Sequence, residues 1–545
     1  MCLTNAVGVD EEEQRRQAWL RLYREQQARA LRFGPRPEKA RDKRRKLEPF
    51  EYGAIALTPP EEVEAYLQSF QPVFGRRDTL RQAELYLLGL LSDLGRKNGE
   101  TIEAAVPGAT QQGVWDFLVR SPWSAAELDR ARVLYALQRT TGSAVEPLDV
   151  VIDEVSWVKK GTRSVGVARQ YLGCRGKVDK GQVAVTLHGY ADACDLPLTG
   201  EMYLNEHWIA DQDRRTAAKI PEERLFLTKP EMALQLLRTV RTWGLQLGRV
   251  HGDAGYGDLD TLLALRAEHL ECCLGQRGNA QVRLPGEDWI PAVPPPPYRG
   301  RGRPPQGQPA RPALHTLDEV RESAPASLWR SVAYRQGVDG ELLSREFLAL
   351  RAHLATAGAE SEELWLLLER PSTSNPDDDP KQYVITGPAD MSLDELAQLA
   401  HRRPVIERNS YENAKQDAGL SDYQGRSWIG FHHHLAMVWL ALTWLMLHRR
   451  PLPPPQAPRE PVMPTPSEST PPRPPASLSF SAASVPITLA WPAATALPLP
   501  HQLWESVQEV HRRLVEWFHG MHFRELLFVG TKPPLPVLGA LPAGP

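Results

Sequence analysis

The chain has 545 residues, of which 42% are hydrophobic and 24% charged, and its formal net charge at pH 7 is −3. This length exceeds one ordinary hydrophobic core, so two or three domains are expected, and the composition is normal for a soluble globular protein. Because there is no overall excess of basic residues, any contact with nucleic acid must come from local clusters of charge.

The first 145 residues predict a charged tail followed by helices. Glu11 to Arg45 are rich in Arg, Gln, Glu and Lys, and residues 1–77 are therefore predicted to be a solvated or disordered tail, slightly ahead of a dedicated DNA-binding arm. Residues 78–145 carry apolar positions at helical spacing, as in LRQAELYLLGLLSDL. They therefore predict a small all-α domain.

Residues 146–450 predict an α/β domain. Runs such as LDVVID, GQVAVTLHGYA and LGRVHGD are typical of strands, and a helical pattern, KPEMALQLLRTVRTWG, lies between them. Strands that alternate with helices indicate a mixed sheet with flanking helices. Segments rich in proline predict a mobile basic loop at 291–312 and a disordered linker at 451–500. Residues 501–545 predict a C-terminal helix and tail.

The cysteines and the apolar segments indicate where the protein works. Five cysteines occur without CxxC spacing, which argues against a disulfide framework or a structural zinc site and fits a reducing cytosol. The N-terminus lacks the pattern of a signal peptide. The strongest apolar run, Leu435–Leu447, is too short to cross a bilayer and predicts a buried helix. We therefore expect a cytoplasmic protein without a membrane segment.

Two aspartates follow predicted strands. Asp153 comes after the apolar run Val150–Ile152, and Asp253 comes after RVHG in a turn rich in glycine. Open α/β sheets place ligand groups at the carboxyl ends of their strands, and glycine allows close backbone approach. Each acid alone also has an ordinary explanation as a surface or turn residue, and Asp149 and Glu154 are nearby rivals. The sequence has no GxxxxGK[ST] loop and no dinucleotide fingerprint, so nucleotide hydrolysis and hydride transfer have no support.

The stretch HRRPVIERNSYENAK, residues 401–415, offers a third acid. Proline is favoured in the first turn of a helix, so Pro404 predicts a helix start and places Glu407 where the helix dipole favours a carboxylate. At ~100° per residue, Glu412 points about 140° away from Glu407, so only one of them can face a shared site. The alternative is a charged, solvated helix face.

Three carboxylates from two strands and a helix suit hard divalent cations. Mg²⁺ prefers oxygen ligands and keeps several waters, so two or three carboxylates and a substrate phosphate complete its shell. Two such ions can hold the attacking and leaving oxygens of a phosphoryl transfer. Basic residues beside them would hold a DNA backbone, namely Arg403, Arg408, Lys415 and Arg426. For Lys159 and Lys160, a DNA contact and a solvated turn are equally good explanations.

Four stretches resemble the DDE transposases of bacterial insertion sequences. In chain order they are DEVSWVKKGTRSVGVARQYLGCRGKVDKGQVAVTLHGY, LFLTKP, HGDAGYG and IERNSYENAKQDAGLSDYQGRSWIGFHHH. The chain resembles in particular the subgroup with KKG and SVGVARQY after the first acid and YxGRSW and HHH after the third. The resemblance runs from about Asp78 to Leu447, and the combination of motifs is specific although each alone is weak.

The resemblance implies a fold and a site. The fold is a ribonuclease H-like α/β catalytic domain with an insert at about 277–395, preceded by the all-α N-terminal domain. The implied catalytic and metal-binding acids are Asp153, Asp253 and Glu407, with two Mg²⁺ or Mn²⁺ ions. Arg403 and Lys415 would contact DNA phosphate.

Three positions depart from the family pattern. Val155 stands where Thr or Ser is usual, Ala400 stands where Tyr is usual, and Lys415 lies one residue beyond the common spacing. An extra residue in a helix rotates all later positions by ~100°, so the choice between Glu407 and Glu412 stays open.

The implied function is transposition. The protein would cut DNA at the ends of a transposon, and the freed 3′-hydroxyl would attack target DNA. The N-terminal helices and basic tail would recognise terminal inverted repeats, and a dimer would hold two ends, in the bacterial cytoplasm at the nucleoid. The alternatives are a catalytically decayed or repurposed DNA-binding protein and a nuclease without strand transfer.

The histidines of the HHH motif have a plainer interpretation. His432, His433 and His434 are consecutive and cannot all face one metal, so they are expected at an interface or a helix start. Trp439 and Trp444 of the apolar helix are expected in the core.

Overall fold

A computed structural model describes most of the chain between residues 60 and 448. The described residues are 60–92, 94–140, 147–191, 194–287, 289–290, 313–336, 342–371, 379–403, 418–448 and 510–512. The predictions for the proline-rich segments, for residues 1–59 and for nearly all of 501–545 lie outside these residues. So do Glu407, Arg408, Glu412 and Lys415.

Six helices precede the sheet in the described part of the chain. They are α1 (Pro60–Gln68), α2 (Gln71–Phe74), α3 (Arg77–Leu91), α4 (Gly99–Ala105), α5 (Gln111–Val119) and α6 (Ala125–Thr140). The helical region thus begins well before residue 78, inside the segment predicted to be a tail. Val63, Tyr66, Leu67 and Phe70 are buried at helical spacing. This apolar stripe is masked in the sequence by the charged residues around it.

The described strands form one twelve-stranded mixed sheet. They are β1 (Leu148–Val158), β2 (Ala168–Leu172), β3 (Lys177–Ala191), β4 (Cys194–Met202), β5 (Leu247–Gly252), β6 (Cys272–Gly275), β7 (Gln281–Arg283), β8 (His315–Thr316), β9 (Arg330–Gln336), β10 (Leu342–Leu354), β11 (Leu364–Glu369) and β12 (Lys381–Ile385). Further helices are α7 (Glu206–Ala210), α8 (Gln212–Ala218), α9 (Lys229–Thr242), α10 (Leu259–Ala267), α11 (Leu317–Ser323), α12 (Leu393–Ala400) and α13 (Trp428–Leu447).

The central strands have the order β4-β3-β1-β5-β6. β3 is antiparallel to both β1 and β4, whereas β5 is parallel to β1 and to β6. A mixed sheet of this kind with helices on both faces is the ribonuclease H-like α/β fold, which confirms the predicted fold class. β2 pairs with the first part of β3, and β4 pairs with the later part of β3.

Side chains of β1 alternate between two cores, which defines the faces of the sheet. Val151 and Val155 pack with α13 and the N-terminal helices, whereas Val150 and Ile152 pack with α9 and α10. By the same alternation Asp153 lies on the α13 face and Glu154 on the α9 face.

β1 is longer than the sequence predicts. Its pairing with β3 continues to Val158, whereas its pairing with β5 ends at Val151 and His251. Asp153 therefore lies in the middle of β1 but just beyond the parallel pairing, and Asp253 directly follows β5. The prediction that each acid follows its strand is confirmed for Asp253 and wrong for Asp153, because pairing with β3 continues the strand beyond that residue.

The segment between β6 and α12 extends the sheet. β12 pairs antiparallel with β6, and β11, β10, β7 and β8 follow outward, with β9 paired to β10. The strands of the predicted insert, about residues 277–395, are therefore continuous with the central sheet.

α13 is 20 residues long, so the prediction of a helix too short for a bilayer was wrong about its length. It is the one helix among the described residues that is long and apolar enough to cross a membrane. However, 89% of its apolar window is buried inside the protein. Trp439 and Trp444 are fully buried in it, so α13 is the predicted core helix.

Candidate catalytic site

Asp153 is held in a fixed backbone position near the centre of the sheet. It is only 9% exposed. The Thr186 hydroxyl donates to its backbone carbonyl at 3.1 Å, and the backbone N–H of Glu154 donates to its Oδ1 at 2.8 Å. A carboxylate on a strand that is paired with β3 along its length keeps a defined position, which a metal or phosphate site requires.

Asp253 lies in the turn that follows β5. Its Oδ1 accepts a hydrogen bond from the backbone N–H of Gly255 at 2.8 Å, and its side chain is 42% exposed. Gly257, further along the turn, has no room for a side chain, because a Cβ atom there would lie 2.0 Å from the carbonyl oxygen of Gly275. The turn is thereby packed against β6 while Asp253 stays accessible.

Arg403 brings the two acids together. Its Nη2 lies 3.4 Å from Asp153 Oδ1 and 3.8 Å from Asp253 Oδ2. The two predicted carboxylates therefore flank one cationic nitrogen, on the face of the sheet where α13 packs. Arg403 is the last residue described before the segment that carries Glu407 and Lys415.

Asp149, a rival of Asp153 in the sequence, has a different role. Its Oδ1 accepts from the backbone N–H of Arg249 at 2.8 Å, and its Oδ2 contacts Arg402 and lies 3.6 Å from His251 Nε2. Burial alone would raise the pKa of Asp149, but His251, Arg249 and Arg402 together lower it to about 2. Asp149 thus ties β1 and β5 to the residue beside Arg403.

Glu154, the other rival, lies on the opposite face. Its Oε2 is 2.5 Å from Lys229 Nζ, and the Tyr256 hydroxyl is 3.5 Å from its Oε1. Lys229 also lies over the ring of Tyr203 at 5.5 Å. Burial and the charge of Glu154 raise the pKa of Tyr203. This cluster joins the LFLTKP motif to the Asp253 turn, a connection that no spacing in the sequence indicates.

The motifs of the family resemblance contact one another. Lys159 Nζ donates to the backbone carbonyl of Tyr423, and burial lowers the pKa of Lys159. The backbone N–H of Val165 donates to the carbonyl of Arg426 at 3.1 Å. Lys160 and the Arg426 side chain are exposed. Lys159 therefore braces the segment before α13, whereas Lys160 and Arg426 face solvent.

The donor set at Asp153 and Asp253 fits a divalent cation. Asp153 and Asp253 supply carboxylate oxygens, the donors that hard divalent cations prefer, on either side of the Arg403 guanidinium. Within the described ranges no group of three or more His, Cys, Asp or Glu side chains is close enough to hold a metal. The third predicted ligand, Glu407, lies outside those ranges.

The sheet order and the pair of acids at its centre define the class as ribonuclease H-like. Comparison with known proteins gives the family. DDE superfamily endonucleases match residues 69–341, about half of the chain, and the chain belongs to this family. Asp153 and Asp253 lie inside the matched residues and Glu407 lies beyond them. Members of the family generally use divalent metal ions.

One relative carries a more specific description. The chain is 30% identical over 220 residues to a probable transposase for insertion sequence element IS701 from Microchaete diplosiphon. The match covers 38% of this chain and 54% of the relative. The chain therefore matches about half the length of that relative.

Proposed function

We propose that the chain is a DDE-type transposase that cleaves DNA at transposon ends and joins the freed 3′-hydroxyl to target DNA. The observation that carries the proposal is the convergence of Asp153 and Asp253 around Arg403 Nη2. A catalytically decayed copy would have no need to keep an acid on β1 and an acid in the turn after β5 within 4 Å of one guanidinium nitrogen. Family membership and the transposase relative support the same conclusion.

The chain's own residues would prepare a phosphodiester for attack. Divalent ions, when bound, supply an activated water or hydroxyl and offset charge on the reacting phosphate. Asp153 and Asp253 would hold two Mg²⁺ or Mn²⁺ ions, with Glu407 as the third ligand. Arg403, released from the acids, would bind the phosphate backbone, together with Lys415.

DNA would be the partner at every step. We assign the N-terminal helices to the terminal inverted repeats, and the exposed Lys160 and Arg426 to the backbone near the cut. Lys159, which bonds to Tyr423, would act by positioning Lys160. Two ends must be joined in one reaction, so a dimer on DNA is expected. The protein would act in the bacterial cytoplasm, at the nucleoid.

The test is cleavage of DNA that carries the inverted repeats flanking the gene. Asp153→Asn and Asp253→Asn should each lose at least about 10³-fold in Mg²⁺-dependent cleavage, because each removes a metal ligand, while DNA binding persists. Glu407→Gln should lose Mg²⁺-dependent cleavage to a similar extent, and Glu412→Gln should cleave at close to the wild-type rate. Recovery of joined donor and target products would exclude a simple nuclease. Wild-type protein that binds the ends but never cuts them would show a repurposed DNA-binding protein instead.

A further inference from the structure

A basic hairpin extends from the catalytic strand pair. β2 and the first residues of β3 form it, and a turn of 3₁₀ helix at Gly173–Arg175 connects them. In the pairing register, Arg169 is opposite Lys180 and Tyr171 is opposite Val178. Residues that are opposite each other, or two apart on one strand, share a face. One face of the hairpin therefore carries two cations, a tyrosine and a valine.

This face is open to solvent. Tyr171 is 55% exposed and Val178 is 52% exposed, although they are neighbours and large apolar groups. Arg169 beside them is exposed, as are Arg175 and Lys177 at the turn. An exposed aromatic ring interleaved with cations is the chemistry with which proteins hold a nucleic-acid backbone and its bases.

Among the described residues, Arg169, Arg175 and Lys177 take part in no ion pair. The hairpin sequence 168–181 carries four cations and one acid, Asp179, so cations remain in excess. Some exposed arginines elsewhere are paired. Arg238 and Arg241, for example, both pair with Glu268. Like charges crowded on one small element repel each other, and a polyanion that binds them removes that repulsion.

The hairpin is also held in place before any partner arrives. The backbone N–H of Cys174 donates to Ser156 Oγ of β1 at 3.1 Å, and Gln170 Nε2 donates to the carbonyl of Gly181 at 3.0 Å. Leu172, on the inner face, is fully buried. A preorganised element loses little entropy on binding. Ser156 is three residues beyond Asp153 on β1, about 10 Å at the rise of a strand.

We propose that this hairpin, residues 168–181, is a DNA-contacting element beside the catalytic site. Its cations bind phosphates of the duplex whose bond is cut at Asp153, and Tyr171 packs against a base or sugar in a groove. A two-stranded ribbon is of the size that the major groove admits. The inference rests on the proposed function, because it names a surface that would hold the same substrate.

The charge of the hairpin is tested by the salt dependence of DNA binding. For the full chain carrying both Arg169→Ala and Arg175→Ala, the slope of log affinity against log salt should become shallower by about 1.8, or about 0.9 per lost phosphate contact. The matched control carries Arg238→Ala and Arg241→Ala, which removes two exposed cations from α9. A hairpin variant whose slope equals that of wild type would overturn the proposal.

Tyr171 is tested separately because its contribution does not depend on salt. Tyr171→Ala should weaken binding about tenfold without changing the slope, whereas Tyr171→Phe keeps the ring and should bind like wild type. All these side chains are exposed, so the unfolding midpoint should not move. Equal binding by the Ala and Phe variants would remove Tyr171 from the proposal.

Cross-linking gives an independent measure of position. Cys174 is exposed at the turn. DNA with an activated mixed disulfide tethered near the cleavage point should exchange with the Cys174 thiolate, which releases the activating thiol and joins protein to DNA. Cys174→Ser should give much less of this product. Equal yields from both proteins would contradict the proposed position.

The two proposals can fail separately. If wild type cuts the ends and Asp153→Asn does not, the proposed function holds. A hairpin variant whose salt-dependence slope is unchanged would then refute only the proposal that the hairpin contacts DNA. If wild type neither binds nor cuts DNA, both fail.

Discussion

Among single residues, Arg403 offsets the repulsion between the two carboxylates that flank it. Two like charges at one site repel, which would push the acids apart or protonate one of them. The guanidinium of Arg403 lies within 4 Å of both, and so offsets the repulsion. The consequence is competition, since a divalent ion and Arg403 cannot both sit between the same two oxygens.

That competition gives a prediction for metal affinity. Arg403→Gln should bind Mn²⁺ about tenfold more tightly than wild type in the absence of DNA, because the resident cation is gone. Calorimetric titration measures the affinity directly and does not depend on cleavage. Arg402→Gln is the matched control, since it removes the neighbouring positive charge, which contacts Asp149 instead. If both variants gained equally, net charge rather than position would explain the change.

Candidate site residues could be predicted from the sequence, whereas most of the contacts that they make could not. Motif order and strand ends singled out Asp153, Asp253 and Arg403 as candidates, and the structure places Arg403 within 4 Å of both acids. The bond between Arg402 and Asp149 joins residues 253 positions apart, and no local pattern encodes it. Asp149 was noticed only as a nearby acid, because its role depends on where β5 and the end of α12 lie.

At the scale of elements, the three consecutive histidines fasten the start of α13 to three different neighbours. His432 Nε2 is 3.4 Å from the backbone N–H of Met202 in β4. His433 stacks on Trp123 with ring centroids 3.8 Å apart. His434 Nδ1 is 2.7 Å from the hydroxyl of Tyr86 in α3. The interpretation of this motif as an interface agrees with these contacts.

His434 makes the stability of the fold sensitive to acid. Its Nε2–H donates to the carbonyl of Leu420 at 3.2 Å, so the ring is satisfied when neutral. Burial lowers the pKa of His434 to about 4. Between its unfolded pKa of about 6.5 and pH 4, the unfolded chain binds the proton and the folded chain does not, so stability falls as pH falls.

We therefore predict that the free energy of unfolding of wild type falls by about 2 kcal/mol from pH 7 to pH 5 because of His434. Urea unfolding at both pH values measures it. His434→Gln should be less stable than wild type at pH 7 but should lose about 2 kcal/mol less on acidification. His207→Gln, at an exposed histidine, is the control and should follow wild type. A His434→Gln variant with the same pH dependence as wild type would be evidence against this role.

Helix and strand types were predictable where periodicity was long and clean, as in α3, α9 and β3. Boundaries were not. β1 continues past Asp153 because β3 is there to pair with it, which is a property of the partner strand and not of the sequence VIDEVSWV. α1 was hidden because its three large buried apolar residues, Val63, Tyr66 and Leu67, are spread among glutamates.

At the scale of the whole molecule, the N-terminal helices and the catalytic sheet share one core. Buried residues from α1 to α6 pack with Val151, Val155 and Trp157 of β1 and with nearly all of α13. A buried ion pair reinforces the junction, since Arg132 of α6 pairs with Asp129 at 2.7 Å and donates to the carbonyl of Leu198 at 2.7 Å. The predicted helical domain is therefore not a detachable module.

A shortened chain tests this shared core. A protein that begins at Pro147 should fail to form a fixed tertiary structure, because α13 would expose the apolar face that the helices cover. Loss of near-ultraviolet circular dichroism together with dye binding would report that state. A protein that begins at Pro60 keeps every described helix and should fold like the full chain. Cooperative unfolding of the Pro147 protein at the wild-type midpoint would contradict the prediction.

The pairing of β12 with β6 also has a consequence for aggregation. In the central sheet β6 would be the last strand, and its outer N–H and C=O groups would be free to template pairing with another copy. The insert covers that edge, because β12 pairs with β6. The exposed edge on this side of the sheet is then β8, which is only two residues long. Excision of the insert would therefore do more than remove a module, since it would uncover an aggregation-prone edge beside the strand that precedes Asp253.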